Sequence, residues 1–356
     1  MESDTFEPST PQDASDSSLI PIRAICQTIL SPSFFSFEKA LFFFSQGGPT
    51  HQLGGLLNVG YNCYVNAVIQ CLAYTPGFSQ FCLSLPNVMY QQNSHSAFFL
   101  DSFAHIFSEI ESNKSMSPTW LLTDSHLISE TFKKPIQQDA HEYLLAILDV
   151  FEKECINSEI QNQNSNQSQN SNDKNDVSKS DTMIDHFFAG DLTIEVQCHN
   201  CSSVIPRKTK FHDLTVPIRE YSDLQAAIDS ITSSSEIVIS GKCENCKEEG
   251  DMTKTNKFTK FPLVLIITLL RFDNTCKKIE DFFKFPKKLI VGNHKYELYS
   301  MILHDGRLIN HGHFVAFVMD ENKVWYKADD GTIYKIKDEA VMSSCPYVLF
   351  YKRIID

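Results

Sequence analysis

The sequence predicts an α+β fold, with helices in its first half and strands in its second. Residues 62–155 repeat apolar positions at helical spacing, most clearly in YVNAVIQCLAYTP, SAFFLDSFAHIFSEI and DAHEYLLAILDVFEKE. After residue 183 the texture turns strand-like, and FPLVLIITLLRF (261–272) is an apolar run suited to a buried strand. Helices first and strands afterwards mark an α+β layout, not an alternating α/β one.

The chain opens on a segment unlike either texture. Residues 1–18 carry five acidic side chains and no basic ones among Ser and Pro, a composition expected to be disordered. SFFSFEKALFFFS (33–45) is too short to cross a bilayer and holds Glu38 and Lys39 in its middle, so no membrane span is expected. It follows an acidic start, unlike a secretory signal. Phe34, Phe37, Leu41 and Phe44 fall at helical spacing, which predicts a helix packed on the body of the protein. A helix docking a partner or a membrane surface is the alternative. Residues 1–52 thus read as an extension ahead of one domain at 53–353.

GGLLNVGYNCYVNAVIQCLAYTP (54–76) is the most informative segment. Gly60 permits a tight turn, Asn62 is a good N-cap, and a helix is expected from Cys63 until Pro76 helps to stop it. Val65, Val68, Ile69, Leu72 and Ala73 give it one buried face, with Cys71 close by. Cys63 then sits at a helix N-terminus, where unpaired N–H groups and the dipole favour the thiolate. A small buried cysteine is the plainer reading of that residue alone. In QQDAHEYLLAILDVF (137–151), Ala140, Leu144, Ile147, Leu148 and Phe151 form a buried stripe, with Asp139 and Glu142 beside each other off it. By pattern alone those two acids are a solvated face. Residues 159–180, rich in Asn, Gln and Ser, read as a solvated loop.

Eleven cysteines, an odd number without a secretory signal, argue against a disulfide framework and for a reducing, intracellular setting. Four of them pair as CHNC and CENC, namely Cys198, Cys201, Cys243 and Cys246. Two such pairs separated by 41 residues suit four thiolates on one zinc ion; redox use of one pair is the alternative.

KTKFHDLTVPI (208–218), HFVAFVMDENKVWYKADDGTIYKI (313–336) and PYVLFYKR (346–353) complete the expected strands. His313 begins one of them, beside Gly312, where a substrate backbone could approach. Sixteen residues on stand Asp329 and Asp330, and an antiparallel hairpin would bring an Asp to the far ring nitrogen of His313. A cysteine nucleophile needs such a base and such an orienting acid. His304 and His311 remain open as the histidine on pattern alone, and DDG is also an ordinary turn.

Composition sets outer limits. Lys and Arg number 31 against 44 Asp and Glu, a net charge of −13 with no basic run, which argues against nucleic acid and for a basic protein partner.

Taken together, the motifs resemble the ubiquitin-specific proteases. GLLNVGYNCYVNAVIQCL resembles their cysteine box, GHFVAF with WYKADD their histidine box, QQDAHEYL the motif between, FPLVLIITLLRF the central strand and PYVLFYKR the closing one. The resemblance implies a papain-like cysteine protease core with a helical thumb (about 53–158), zinc-bearing fingers (about 190–257) and a β-rich palm. It implies that Cys63 is the nucleophile, His313 the base, Asp329 the orienting acid and Asn58 an oxyanion donor. Asp139 and Glu142 would receive arginines of the ubiquitin tail, beside Gly312. The zinc would be structural, and the activity would be hydrolysis of the bond after the last Gly of ubiquitin through a thioester, with ubiquitin and ubiquitinated proteins as partners. The chain departs from the family at Tyr61 and Asn62, where Asn and Thr are usual, and at Phe314, where Tyr is.

Overall fold

The computed structural model describes residues 36–91, 98–166, 181–233, 236–309 and 311–355. The acidic start at 1–18 lies outside them. Helix α1 (Phe37–Ser45) begins at Ser36, whose hydroxyl accepts the Lys39 N–H. The helix expected in the Phe-rich segment is present and packed, with Phe44 inward as expected and Phe34 outside the described residues, but its inner face is rotated away from Phe37 and Leu41. Ala40, Phe43 and Phe44 are buried, whereas Phe37 is 39% exposed and Leu41 half-buried. Phe43 meets Phe81 edge-on, with ring centroids 5.9 Å apart.

Helix α2 (Cys63–Ala73) is the axis of the molecule. Every residue in it is buried, not only the predicted stripe, because it packs on strands at one side and helices at the other. Helices α3 (Phe78–Gln91), α4 (Phe98–Glu111) and α5 (Ala140–Asn166) surround it. Ala140, Leu144, Ile147, Leu148 and Phe151 are all buried as the pattern predicts. Helix α5 runs eight residues into the polar tract before the described residues stop, so 159–166 are helix and not loop. Phe78 ties the helices together: its ring contacts Phe81, Phe107, Phe151, Phe187 and Phe188.

Two sheets follow. The four-stranded one orders β2 (Val204–Phe211), β1 (Gly190–Cys198), β5 (Glu249–Lys260) and β4 (Glu236–Lys242), all antiparallel. It carries the cysteine pairs at one end and forms the fingers. The eight-stranded palm orders β11 (Thr332–Ile336), β10 (Trp325–Asp329), β9 (His311–Met319), β8 (His294–Leu308), β12 (Pro346–Arg353), β6 (Val264–Leu269) and β3 (Asp213–Val216). Strand β7 (Lys288–Val291) pairs with β8 off this path. Every residue of β6 is buried, as its unbroken apolar run requires. KTKFHDLTVPI divides between the sheets: its first half ends β2 in the fingers, and only Asp213–Val216 joins the palm. Helix α6 (Leu224–Thr232) also packs against β3 and β7, so the fingers are two stretches and not one run of 190–257.

Phe43→Ala removes a buried ring that anchors α1, and should cost about 3 kcal/mol of stability. Chemical denaturation should show the shift, while turnover per active site stays at the wild-type value.

Candidate active site

The palm hairpin and the start of α2 meet at one point. Strands β9 and β10 pair from Trp325 opposite Met319 to Ala328 opposite Ala316. Just past that register His313 Nε2 lies 2.7 Å from Asp329 Oδ1, so the hairpin delivers the histidine and acid expected of it. Lys327 Nζ lies 2.9 Å from the other Asp329 oxygen. Burial works against ionisation of Asp329, but Lys327 and His313 outweigh it and hold the carboxyl below its usual range. With Nε2 taken, the ring offers Nδ1 to the sulfur. The hydrogen bond with Cys63 is the first cause that pushes His313 up to about 9, opposed by burial and supported by Asp329. Cys63 itself is buried at the first position of α2. Neither His304 nor His311 takes this place.

The loop before Cys63 is tightly built. Gly60 has φ of +124° and Tyr61 of +58°. A left-handed conformation costs a residue with a Cβ roughly 1–2 kcal/mol, so something must hold Tyr61 there. Asn62 stands at the N-cap position as expected, and its carbonyl accepts the Asn66 N–H, but its side chain bonds no helical N–H. Its Oδ1 accepts the Val59 N–H at 2.8 Å, and its Nδ2 donates to Leu57 O at 3.2 Å and Asn66 Oδ1 at 3.1 Å. Asn66 Nδ2 donates to Leu56 O at 2.9 Å and Asp330 Oδ1 at 2.8 Å. Asp330 Oδ2 then accepts from Asn58 Nδ2 at 3.0 Å and lies 3.8 Å from His313 Nε2. Asn58 is exposed, five residues before the sulfur, and its Oδ1 accepts the Gly60 N–H at 3.0 Å.

Two of the three residues assigned to substrate binding, Asp139 and Gly312, have jobs inside the protein. Asp139 Oδ1 caps α5 by accepting the His141 and Glu142 N–H groups, and its Oδ2 accepts the Tyr347 hydroxyl at 2.7 Å. Glu142 is exposed. Gly312 has φ of +157°, and its N–H donates to Gln137 Oε1 at 3.1 Å. A Cβ there would lie 2.3 Å from Asp305 O and 2.6 Å from His304 Nε2, so internal crowding alone already requires glycine.

Sequence reasoning named His304 and Phe314 singly but passed over the cluster they form. Phe272, His304, Phe314 and Tyr347 form an aromatic cluster beside His313, with His304 and Phe314 centroids 4.6 Å apart. Burial, then Lys278, pushes His304 down to about 4, and neither ring nitrogen has a partner among the described residues. The link among Asn62, Asn66 and Asp330 was the other omission. Their signal was present, since Asn62 and Asn66 are one helical turn apart and Asp330 adjoins Asp329.

At the fingertip, Cys198, Cys201, Cys243 and Cys246 bring their sulfurs within 4.8 Å of one another. The Cys198–Cys246 and Cys201–Cys243 separations are 3.9 and 3.8 Å. Thiolates about 2.3 Å from a tetrahedral zinc would sit about 3.8 Å apart, so the set fits that ion. His199 Nε2 is taken by Thr253 Oγ1 at 2.8 Å. Glu152, Asp185 and His212 also cluster, but Lys210 Nζ, 2.7 Å from Asp185 Oδ1, already supplies the positive charge there.

A cysteine at a helix start thus faces an imidazole that bonds a carboxylate of the next strand. The family model described as ubiquitin carboxyl-terminal hydrolase matches residues 54–351, and the chain belongs to that family. It is 29% identical over 317 residues to ubiquitin carboxyl-terminal hydrolase 23 of Arabidopsis thaliana, covering 84% of this chain and 35% of that protein. Against human ubiquitin carboxyl-terminal hydrolase 42 the identity is 27% over 362 residues, covering 98% of this chain and 26% of the relative. The chain therefore spans about a third or less of those two relatives. Among solved structures, the SAGA Ubp8/Sgf11/Sus1/Sgf73 DUB module bound to ubiquitin aldehyde shares the fold with a TM-score of 0.68 at 24% identity. That match covers 85% of this chain and 70% of the solved one.

The raised His313 value sets a pH limit. The proton that leaves an ordinary histidine near 6.5 stays on His313 until pH passes about 9. Its stabilising contribution is thus complete below 6.5 and is lost as pH rises through about 9. A pH–rate profile of kcat/KM should fall on its alkaline side near that value, and Asp329→Asn should move the fall to lower pH. An alkaline limb unmoved by Asp329→Asn would count against the orienting role.

Proposed function

We propose that the chain is a deubiquitinating thiol peptidase, cleaving the isopeptide or peptide bond after the C-terminal Gly of ubiquitin. The alignment of Cys63, His313 and Asp329 carries this reading, supported by the family and by the fold shared with a ubiquitin aldehyde complex. The sulfur of Cys63 attacks the glycine carbonyl carbon, and the carbonyl electron pair moves onto oxygen. The backbone N–H of Cys63 and the Asn58 carboxamide receive that oxyanion. One hydrogen of Asn58 Nδ2 goes to Asp330; the second has no partner among the described residues. His313 gives its Nδ1 proton to the departing lysine amine as the C–N bond breaks and the thioester forms. The same nitrogen then takes a proton from water, whose oxygen displaces the sulfur and frees the glycine carboxylate. Asp329 holds the ring throughout.

Glu142, exposed beside the capped start of α5, would take an arginine of the ubiquitin tail; Asp139 fixes that helix end, and the substrate backbone would pass Gly312 on its way to His313. Cys198, Cys201, Cys243 and Cys246 would hold one structural zinc. A working Cys63 and four metal thiolates need reducing conditions, hence an intracellular site of action. Among the described residues no helix is long and apolar enough to cross a membrane.

Ubiquitin bearing a C-terminal electrophile should label Cys63, and Cys63→Ala should abolish turnover while ubiquitin binding stays within a few-fold. Turnover retained in that variant would refute the nucleophile. Labelling instead by another ubiquitin-like modifier would redirect the substrate.

Elemental analysis should find one zinc per chain. Cys243→Ser should lower both metal content and melting temperature, since metal binding is coupled to folding. Metal-free, fully stable protein would refute the site.

A further inference from the structure

We propose that Asn62 is a positioning residue for the oxyanion donor, acting on Asn58 through Asn66 and Asp330. The inference rests on Asn58 being that donor. Asn62 is 1% exposed and Asn66 is 2% exposed, so their amides answer only to one another and to the loop. The orientation of each follows from its neighbours. Val59 N–H is a donor, so it faces Asn62 Oδ1, and Asn62 Nδ2 must turn toward Leu57 O and Asn66 Oδ1. That bond occupies Asn66 Oδ1 and directs both Asn66 amide hydrogens at acceptors, Leu56 O and Asp330 Oδ1. Asp330, anchored by Oδ1, presents Oδ2 to one hydrogen of Asn58 Nδ2. Gly60 N–H holds the opposite end of that amide.

A hydrogen count closes the chain. The three carboxamides carry six N–H hydrogens between them. Asn62 spends two and Asn66 spends two, whereas Asn58 spends one on Asp330. Among the described residues the single unclaimed hydrogen is the second on Asn58 Nδ2. The relay therefore fixes the one group left free to meet an oxyanion.

Asn62 fastens Asn66 Oδ1 to Leu57 O, and threonine, which the family usually has there, could not. Its hydroxyl has one hydrogen, too few to serve Leu57 O and Asn66 Oδ1 together. Asn66 would then lose the donor on its Oδ1, leaving Leu56 O and Asp330 Oδ1 alone to hold its amide, and Asp330 would be held less firmly toward Asn58. The same Asn62 bonds, to Val59 and Leu57, bracket Tyr61 in its left-handed conformation.

The test is a double-mutant cycle on the full chain, with kcat and KM measured per active site titrated by the ubiquitin electrophile. Asn58→Ala should lower kcat by roughly 10²–10³ with KM little changed. Asn62→Ala should lower kcat roughly ten-fold, again with KM within about two-fold. In the Asn58→Ala background the same change should move kcat by less than about two-fold, because the group it orients is gone. Asn62→Thr should fall as Asn62→Ala does, and carries the test if the alanine variant does not fold. Equal losses in both backgrounds would make Asn62 a structural residue only, and a wild-type kcat in Asn62→Thr would overturn the relay. A normal kcat in Asn58→Ala alone would instead refute the donor itself, and absence of probe labelling in the wild type would refute the activity.

Discussion

Cys63 and His313 come from segments far apart in the chain, and the Asp330 carboxylate, which bonds the loop before α2, ties those segments together. Asp330 receives Asn58 and Asn66 from the thumb side on its two oxygens, and its backbone carbonyl accepts the Leu56 N–H at 2.9 Å. It adjoins Asp329, so whatever holds Asp330 against the loop before α2 also sets the distance from Cys63 to His313. Asp330 has φ of +51°, a conformation that Asp tolerates better than most residues. Burial of α2 on every side makes this arrangement stiff, because the helix cannot shift without disturbing both the strands and the helices packed on it.

The fold was legible where one physical rule dominated. The unbroken apolar run of β6 could only be a buried strand, and the spacing of Ala140, Leu144, Ile147, Leu148 and Phe151 could only be a helix face. It was less legible where tertiary context chose among permitted options. The Phe-rich segment offers apolar side chains all round, so its periodicity could not say that Phe43 and Ala40 would turn inward in place of Phe37. KTKFHDLTVPI reads as continuous strand sequence, and nothing local marks the point at which the chain leaves one sheet for the other.

At the site, the meeting of Cys63, His313 and Asp329 was legible through the hairpin and the helix start. The connections around it were not. Asn62 was expected to cap α2 because Asn is good at that position, but a cap competes with every other acceptor and donor in reach. Here the loop turns Asn62 backward, toward Val59 and Leu57. Gly312 shows the converse. Its glycine was read as room for a substrate backbone, and the crowding of Asp305 and His304 against any side chain there is a second demand that pattern alone does not show.

The fingers obey a different constraint from the palm. Both faces of their sheet are largely half-buried or exposed along β1, β2, β4 and β5, so few apolar contacts hold it together. Ion pairs such as Lys257 with Glu195 at 2.7 Å lie near the surface, where such pairs contribute little. A sheet of this kind projecting from a body needs a fastening at its far end. The four sulfurs gather the ends of β1 and β4 with the turns that follow them, the place farthest from the support that the palm gives. One ion there would join the β1–β2 turn to the β4–β5 turn across the whole sheet, and so substitute for the core that the fingers do not have.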